Sequence, residues 1–294
     1  MSHVPDPVLR AVGEVLQNTD KGSGPFHFTP TGGGCINNGG RLRSAQGDFF
    51  LKWNSAQRYP GMFEAEAKGL ALLHNTGAIR IPRVSTTGIA DDYQFILMEF
   101  IPSAPRVGDY WEMLGGQLAK LHRTSWHQYG LDHDNYIGAL PQQNTPGAEW
   151  VTFFIEQRLD PQLKRGVDAG SIGRDVVAQF DALYKRLPDI LSTETPSLVH
   201  GDLWSGNLIV DDAGNPCLID PAVYFGHREI DLAMTELFGG FDRRFYEAYQ
   251  AAFPNPPGLS ERLDIYKLYP LLVHVNLFGG GYLHDVRSIL RSFS

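Results

Sequence analysis

The stretch SLVHGDLWSGNLIVDDAGNPCLIDP, residues 197–221, decides how this chain is read. Two apolar runs, LIV (208–210) and CLI (217–219), flank DDAGN, whose glycine and asparagine suit a hairpin turn. An antiparallel hairpin returns its second strand to where the first began, so this one predicts Asn207 beside Asp220. A carboxylate and an amide oxygen at one end of a hairpin make a hard-oxygen Mg²⁺ site, with nucleotide phosphates supplying further ligands. Asp202, just ahead of them, is placed to accept a proton from an attacking hydroxyl. Asp, Asn and Gly also fill ordinary caps and turns. The Asp-x-x-x-x-Asn spacing therefore gains its meaning from the hairpin and Asp220 together.

Upstream, TGGGCINNGG (31–40) is a glycine loop between β-like runs, able to bring backbone N–H groups, those of Gly33 and Gly34 among them, onto phosphates. It lacks the GK[ST] of a Walker A loop, and a glycine-rich hairpin turn would look similar. Lys52, in FFLKWN, is a lone cation within an apolar strand. It reads either as a snorkelling surface lysine or as a phosphate-binding lysine that needs a carboxylate partner. The following helix offers Glu64 and Glu66. Glu66 falls on the apolar face with Phe63, Leu70 and Leu73 and is the better partner. QFILMEF (94–100) is a strand leading out of this region, with Met98 facing a possible adenine pocket and backbone groups of Glu99 and Ile101 able to pair with adenine. A core strand would show the same pattern.

Around these segments the chain is of ordinary globular composition: 294 residues, 43% hydrophobic and 20% charged. A net charge of −8 argues against nucleic-acid or anionic-membrane binding by bulk charge. The two cysteines, Cys35 and Cys217, cannot make a disulfide framework or a cysteine-rich zinc site. The first residues lack the basic and apolar regions of a signal peptide, and no apolar run is long enough to span a membrane, so a cytoplasmic protein is expected.

Residues 6–18 predict an opening helix with Val8, Val12, Val15 and Leu16 on one face. From Phe26 to Asn54 the period changes to two, with glycine turns, as in an antiparallel meander. A helix over 61–75 and a β pair beginning near Pro82 follow. Past IPSAP (101–105) the pattern turns helical, at about 109–124, 149–160, 171–187, 229–237, 241–252 and 259–274. The fold class expected is α+β and bilobal. A β-rich N-terminal lobe (1–102) would bind the nucleotide, and a mainly helical C-terminal lobe (103–294) would hold the catalytic loop, the metal and the acceptor pocket. Ligands favour the cleft between such lobes.

Together these parts resemble the protein-kinase-like superfamily, in its aminoglycoside-phosphotransferase and choline-kinase branch. HGDLWSGN (200–207), LIDPAVYFGHREIDLAM (218–234) and ELFGGF (236–241) narrow the resemblance to the fructosamine/ketosamine-3-kinase family. The similarity runs from about residue 32 to 283. It implies a protein-kinase-like fold and transfer of the ATP γ-phosphate to the 3-hydroxyl of a ketosamine. The family's 3-phosphate decomposes to release the free amine, which implies deglycation repair. Carried over, Lys52 would contact ATP phosphates and pair with Glu66, Asp202 would be catalytic, and Asn207 and Asp220 would hold magnesium. Asp231 would brace the catalytic loop. DP (220–221) stands where protein kinases have DFG, and no APE-type activation segment follows, so control by activation-segment phosphorylation is not expected.

Several residues keep two readings. Trp204 either packs on the C–H face of a sugar-like acceptor or fills the underside of the loop. His227, together with Arg228, contacts a substrate or orients Asp231. His274 and Asn276 line an acceptor pocket or belong to a late apolar helix. His200 supports the loop from below, and His122 reads as a packed core histidine. Cys35, after three glycines, is a candidate redox thiol, whereas Cys217 lies in an apolar run and should be buried. The rival acceptors are an aminoglycoside, choline or homoserine, and a nucleotide-binding pseudoenzyme is the rival class. The partner expected is a small-molecule or protein-bound ketosamine, with no nucleic acid and no membrane, and a monomer or weak homodimer.

Overall fold

A computed structural model describes residues 3–17, 25–31 and 37–293. The chain divides into two compact units: residues 1–110 with Leu208–Asp220, and Trp111–Asn207 with 221–294. The glycine-loop residues Gly33 and Gly34, and Cys35, lie outside the described residues.

The first unit is built on a five-stranded antiparallel sheet: β1 (His27–Pro30), β2 (Asn38–Ser44), β3 (Gly47–Ser55), β4 (Val84–Ala90) and β5 (Tyr93–Glu99). The order is β1-β2-β3-β5-β4, so β3 is central and paired on both edges. Helix α1 (Asp6–Gln17) lays Val8, Val12 and Leu16 into a core with Leu42, Leu51, Trp53, Phe95 and Leu97. Val15, expected on that face, is 38% exposed: at 3.6 residues per turn the face that meets the sheet is narrower than the run of valines. Helix α2 (Met62–Asn75) follows the left-handed Gly61 and buries Phe63, Ala65, Leu70 and Leu73.

The hairpin of Leu208–Val210 and Pro216–Leu218 was expected in the C-terminal lobe but packs within the first unit. Its backbone is tied there: Cys217 bridges to Arg80, Leu218 N donates to Arg80 O at 3.0 Å, and Ala104 N and Val107 N donate to Asp211 O and Gly214 O, each at 3.1 Å. The first continuous stretch likewise runs past the expected boundary at 102, to Tyr110. Cys217 is buried, and desolvation pushes its thiol up to about 12, so it is inert.

The second unit is mainly helical. It takes up α3 (Tyr110–Leu121) from its second residue and adds α4 (Trp150–Phe154), α5 (Asp160–Asp168), α6 (Arg174–Tyr184), α7 (Leu187–Ile190), α8 (Glu229–Leu237), α9 (Arg243–Ala252), α10 (Leu259–Phe278) and α11 (Leu283–Ser292). A π-helical turn, Ile155–Leu159, joins α4 to α5, so the helix expected at 149–160 continues to Asp168. Helix α10 passes through Pro270, packs on α5, α8 and α11, and is buried along most of its length. Helix α11, the short pair 135–137 with 140–142, and the strand 224–226 that pairs with 197–199 were not anticipated. Three-residue strands are too short to show a period of two. Among the described residues no helix is long and apolar enough to cross a membrane.

Leu51, fully buried at the centre of β3, tests whether α1 and the sheet share one core. Leu51→Ala is expected to cost about 2–5 kcal/mol, read by denaturant unfolding.

Candidate active site

In the first unit, the β3 register places Lys52 opposite Gly39 on one side and Ile96 on the other. The aliphatic stem runs against Gly39, where a Cβ would lie 3.5 Å from Lys52 Cγ, and the side chain is almost completely enclosed. The ammonium donates to Glu66 Oε1 at 2.7 Å and to Asp220 Oδ1. Burial alone would lower the lysine pKa, but the two carboxylates outweigh it and hold Lys52 well above its ordinary value. Burial raises Glu66, helped by the charge of Asp220 and opposed by Lys52, because two carboxylates share one cation. Glu64 is exposed on the opposite side of α2. Asp220 itself adopts a left-handed backbone, φ 54°, uncommon for a residue with a side chain.

Met98 is buried on β5, on the sheet face that carries Lys52, and Ile101 is partly buried just beyond the strand. The Glu99 carboxylate accepts from Arg80 and from the Arg83 backbone, while Glu99 N donates to Arg83 O at 2.8 Å.

The second unit carries the loop His200–Asn207. Gly201 turns it with φ 81°, and a Cβ there would stand 2.1 Å from Ala222 O, so only glycine lets the loop lie against that carbonyl. A 3₁₀ turn, Ser205–Asn207, then brings Asn207 Nδ2 to Asp202 O and Asp202 Oδ2, both at 2.9 Å. Trp204 folds its indole over Gly206, where a Cβ would meet the ring at 2.3 Å, and touches Phe238 edge-on at 5.9 Å. The ring is partly exposed.

Asp231, fully buried on α8, accepts His200 N at 2.7 Å and Gly201 N at 2.9 Å, and contacts His122 Nε2 at 3.1 Å. Burial would raise its pKa; the hydrogen bond and charge of His122, with His200, hold it below the usual carboxylate value. His122 also meets Tyr249 Oη at 2.8 Å, and His200 is fully enclosed.

GHREIDLAM forms a buried ionic hub. Arg228 makes a two-pronged pair with Glu194 (2.8 and 3.0 Å), Arg262 does the same with Glu229 (2.8 and 2.7 Å), and His227 lies 3.9 Å from each glutamate. His227 is 0% exposed and stacks on Tyr266. The Asn276 amide nitrogen donates to Gln162 O (3.0 Å) and Gln162 Oε1 (2.8 Å), tying α10 to α5, while its Oδ1 is buried without a hydrogen bond among the described residues. His274 is half-buried among Phe238, Phe278 and Tyr282, with Nδ1 on Pro270 O at 2.7 Å. The predicted residues thus divide: Lys52, Glu66 and Asp220 are joined in the first unit, and Asp202, Asn207 and Asp231 are gathered on one loop and its support in the second. The long-range members, Glu194 and Arg262, carried no sequence signal beyond their charge.

Comparison with known proteins follows the same lines. The family model described as fructosamine kinase matches residues 10–293. The chain is 40% identical over 260 residues to the "Probable ketoamine kinase" of Synechocystis, covering 88% of this chain and 87% of that protein. The crystal structure of a protein assigned as a fructosamine-3-kinase from Haemophilus somnus superposes with a TM-score of 0.87 at 28% identity, covering 96% of both chains. Aminoglycoside phosphotransferase APH(4)-Ia, at 17% identity and a TM-score of 0.62 over 96% of this chain and 98% of its own, shares the protein-kinase-like fold.

The hub predicts an acid-sensitive fold. Burial holds His227 below the ordinary imidazole value of 6.5. On unfolding the ring regains that value and takes up a proton the folded site resists. Stability is therefore full above about pH 6.5 and falls as the pH drops below it. His227→Gln is expected to flatten the fall in Tm between about pH 7.5 and 5.5, leaving a smaller slope from His274, whose pKa burial also lowers. Scanning calorimetry of both proteins across that range is the check.

Proposed function

The chain belongs to the fructosamine kinase family, and from that premise we propose that it transfers the γ-phosphate of ATP to the 3-hydroxyl of a ketosamine. The observation that carries the reading is the Lys52 ammonium, buried and clamped by Glu66 and Asp220. A cation so held is a fixed positive point for nucleotide phosphates, and its stem packs against the arm of the glycine loop. Met98, Glu99 and Ile101 would border the adenine, and the loop containing Gly33 and Gly34 would cover the phosphates.

Asp202 would accept the proton of the attacking 3-hydroxyl. The Asn207 amide, hydrogen-bonded to both the backbone and carboxylate oxygens of Asp202, fixes the direction of that carboxylate. Asp231 would act by holding the His200 and Gly201 amides, and so the path of the loop, without touching substrate. Trp204, partly exposed beside Asp202 in sequence, would pack on the acceptor chain.

The donor set fits magnesium, a hard cation that takes carboxylate and amide oxygens. Asp220 and Asn207 would hold it, and it would neutralise charge on the transferring phosphoryl group. The Asn207 nitrogen donates to Asp202, and the ligand atom would be its amide oxygen. Among the described residues no three His, Cys, Asp or Glu side chains cluster to hold a metal by themselves. That agrees with an ion bound together with nucleotide phosphates. The acceptor would be a small-molecule or protein-bound ketosamine of the cytoplasm, and the unstable 3-phosphate would make the reaction a repair of glycation.

ADP release measured with Mg·ATP and a panel of ketosamines, aminoglycosides, choline and homoserine tests the acceptor; turnover confined to a non-ketosamine would sink the reading. Asp202→Asn keeps shape but loses basicity, and kcat should fall about 10²–10⁴-fold while ATP still binds. Titration of Mg·ATP should show a larger loss of affinity for Asp220→Ala than for Asn207→Ala, because an anionic ligand is removed rather than a neutral one. Equal affinities would remove the metal assignment.

A further inference from the structure

Arg158 lies in the π-helical turn between α4 and α5 and is 0% exposed. A buried guanidinium ordinarily takes a carboxylate, as Arg228 and Arg262 do. Arg158 has no such ion pair among the described residues, and its Nε is buried without a hydrogen bond. Its partners are neutral. Nη1 donates to Gln143 O and, at 2.9 Å, to Gln157 O; Nη2 donates to Asn144 Oδ1 at 2.7 Å. The plane lies 3.9 Å from the Tyr224 ring centre, with Phe153 at 4.8 Å and Tyr269 at 5.7 Å. π faces and carbonyl oxygens replace its water.

From Asn144 a relay of amides continues. Asn144 Nδ2 donates to Asn135 Oδ1 at 3.0 Å, and Gln142 Nε2 donates to the same oxygen at 2.8 Å. Gln142 Nε2 also reaches Ala222 O at 3.1 Å, and Asn135 Nδ2 reaches Val223 O at 2.8 Å. Tyr269 Oη closes the relay by donating to Gln142 Oε1 at 2.7 Å. The relay ends on the backbone that seats the catalytic loop. Ala222 N donates to His200 O at 2.9 Å, and Gly201 is pressed on the Ala222 carbonyl.

We propose that Arg158 is a positioning residue for phosphoryl transfer: through Asn144, Asn135 and Gln142 it fixes the Ala222–Val223 backbone on which the Asp202 loop is seated. The cation is what orders the relay. A charge-assisted bond holds the Asn144 oxygen toward Arg158, which turns the Asn144 nitrogen toward Asn135 and leaves Asn135 to donate to Val223. Lysine cannot replace it, because one ammonium lacks the planar fork that reaches Gln143, Gln157 and Asn144 at once. The inference rests on the proposed kinase reading for its effect on turnover, and on the structure alone for its effect on the loop.

Arg158→Met keeps volume and removes every donor; Arg158→Lys keeps charge with one donor group. Turnover with Mg·ATP and the ketosamine that the wild type accepts should fall about 10–100-fold in Arg158→Met and less in Arg158→Lys, the scale expected when a reacting group is misplaced by a fraction of an ångström. Affinity for a non-hydrolysable ATP analogue measured without Mg²⁺, so that Asn207 takes no part as a metal ligand, should stay within about twofold, since Lys52, Glu66 and Asp220 lie in the other unit. Hydrogen–deuterium exchange supplies a readout independent of activity: peptides covering 198–203 and 221–225 should exchange faster in both variants, with β3 unchanged. If Arg158→Met does not fold, Arg158→Lys and Tyr269→Phe, which deletes a single hydroxyl of the relay, carry the same exchange test. Unchanged exchange in the two loop segments, exchange raised equally everywhere, or wild-type kcat would overturn the proposal. A wild type that phosphorylates no ketosamine would overturn the functional reading instead, with the exchange result still deciding the relay.

Discussion

A lysine ammonium cannot be taken out of water without anions to receive it, and Lys52 is almost completely enclosed. That requirement organises the first unit. The central strand must hold the stem in register against Gly39, α2 must present Glu66 inward, and the hairpin must bring Asp220 to the same ammonium. The effective penalty for burying such an ion is several kcal/mol, and Glu66 and Asp220 together offset it. This explains why Leu208–Asp220 packs with the N-terminal unit although 97 residues of the second unit, 111–207, lie between in the chain.

The second unit answers the same constraint with a different inventory. Asp231 receives two backbone amides and His122, so the carboxylate is compensated by dipoles of the loop it supports. Arg228 and Arg262 each receive a glutamate in two-pronged geometry, and their remaining donors go to backbone carbonyls of residues 253–257. His227 sits between these pairs as a neutral ring. Arg158 departs from the pattern because its charge is met only by carbonyls and aromatic faces. Asp231 and the amides of Gln142 and Asn135 are the part of this interior that meets the backbone at 200–201 and 222–223.

Much of this was legible from residue order, for a definite reason. Asp202 and Asn207 are five apart in one tight loop, so their hydrogen bond follows from local geometry. The period of two through 38–54, the choice of Glu66 over Glu64, and the hairpin turn at DDAGN are likewise properties of neighbours within a strand or a few turns. Where the sequence reading missed, the signal was short or the decision lay elsewhere. Three-residue strands carry no period, and the π-helical turn shifts the helical phase near Arg158. Val15 looks as apolar as Val12 but falls off the face that meets the sheet.

By itself, then, the sequence determined the family, the α+β division and the motif residues, because these are written in residue type and spacing. Tertiary structure alone decided the partners. Lys52 meets Asp220 across 168 positions, Arg228 finds Glu194 and Arg262 finds Glu229. His227 is enclosed against Tyr266, the Asn276 amide nitrogen goes to Gln162, and Arg158, which carried no sequence signature, meets Asn144. Periodicity reports which face a side chain occupies but not what packs against that face. Whether a charge is solvated, paired or enclosed depends on segments far away in the chain, and their meeting is fixed only when the core closes.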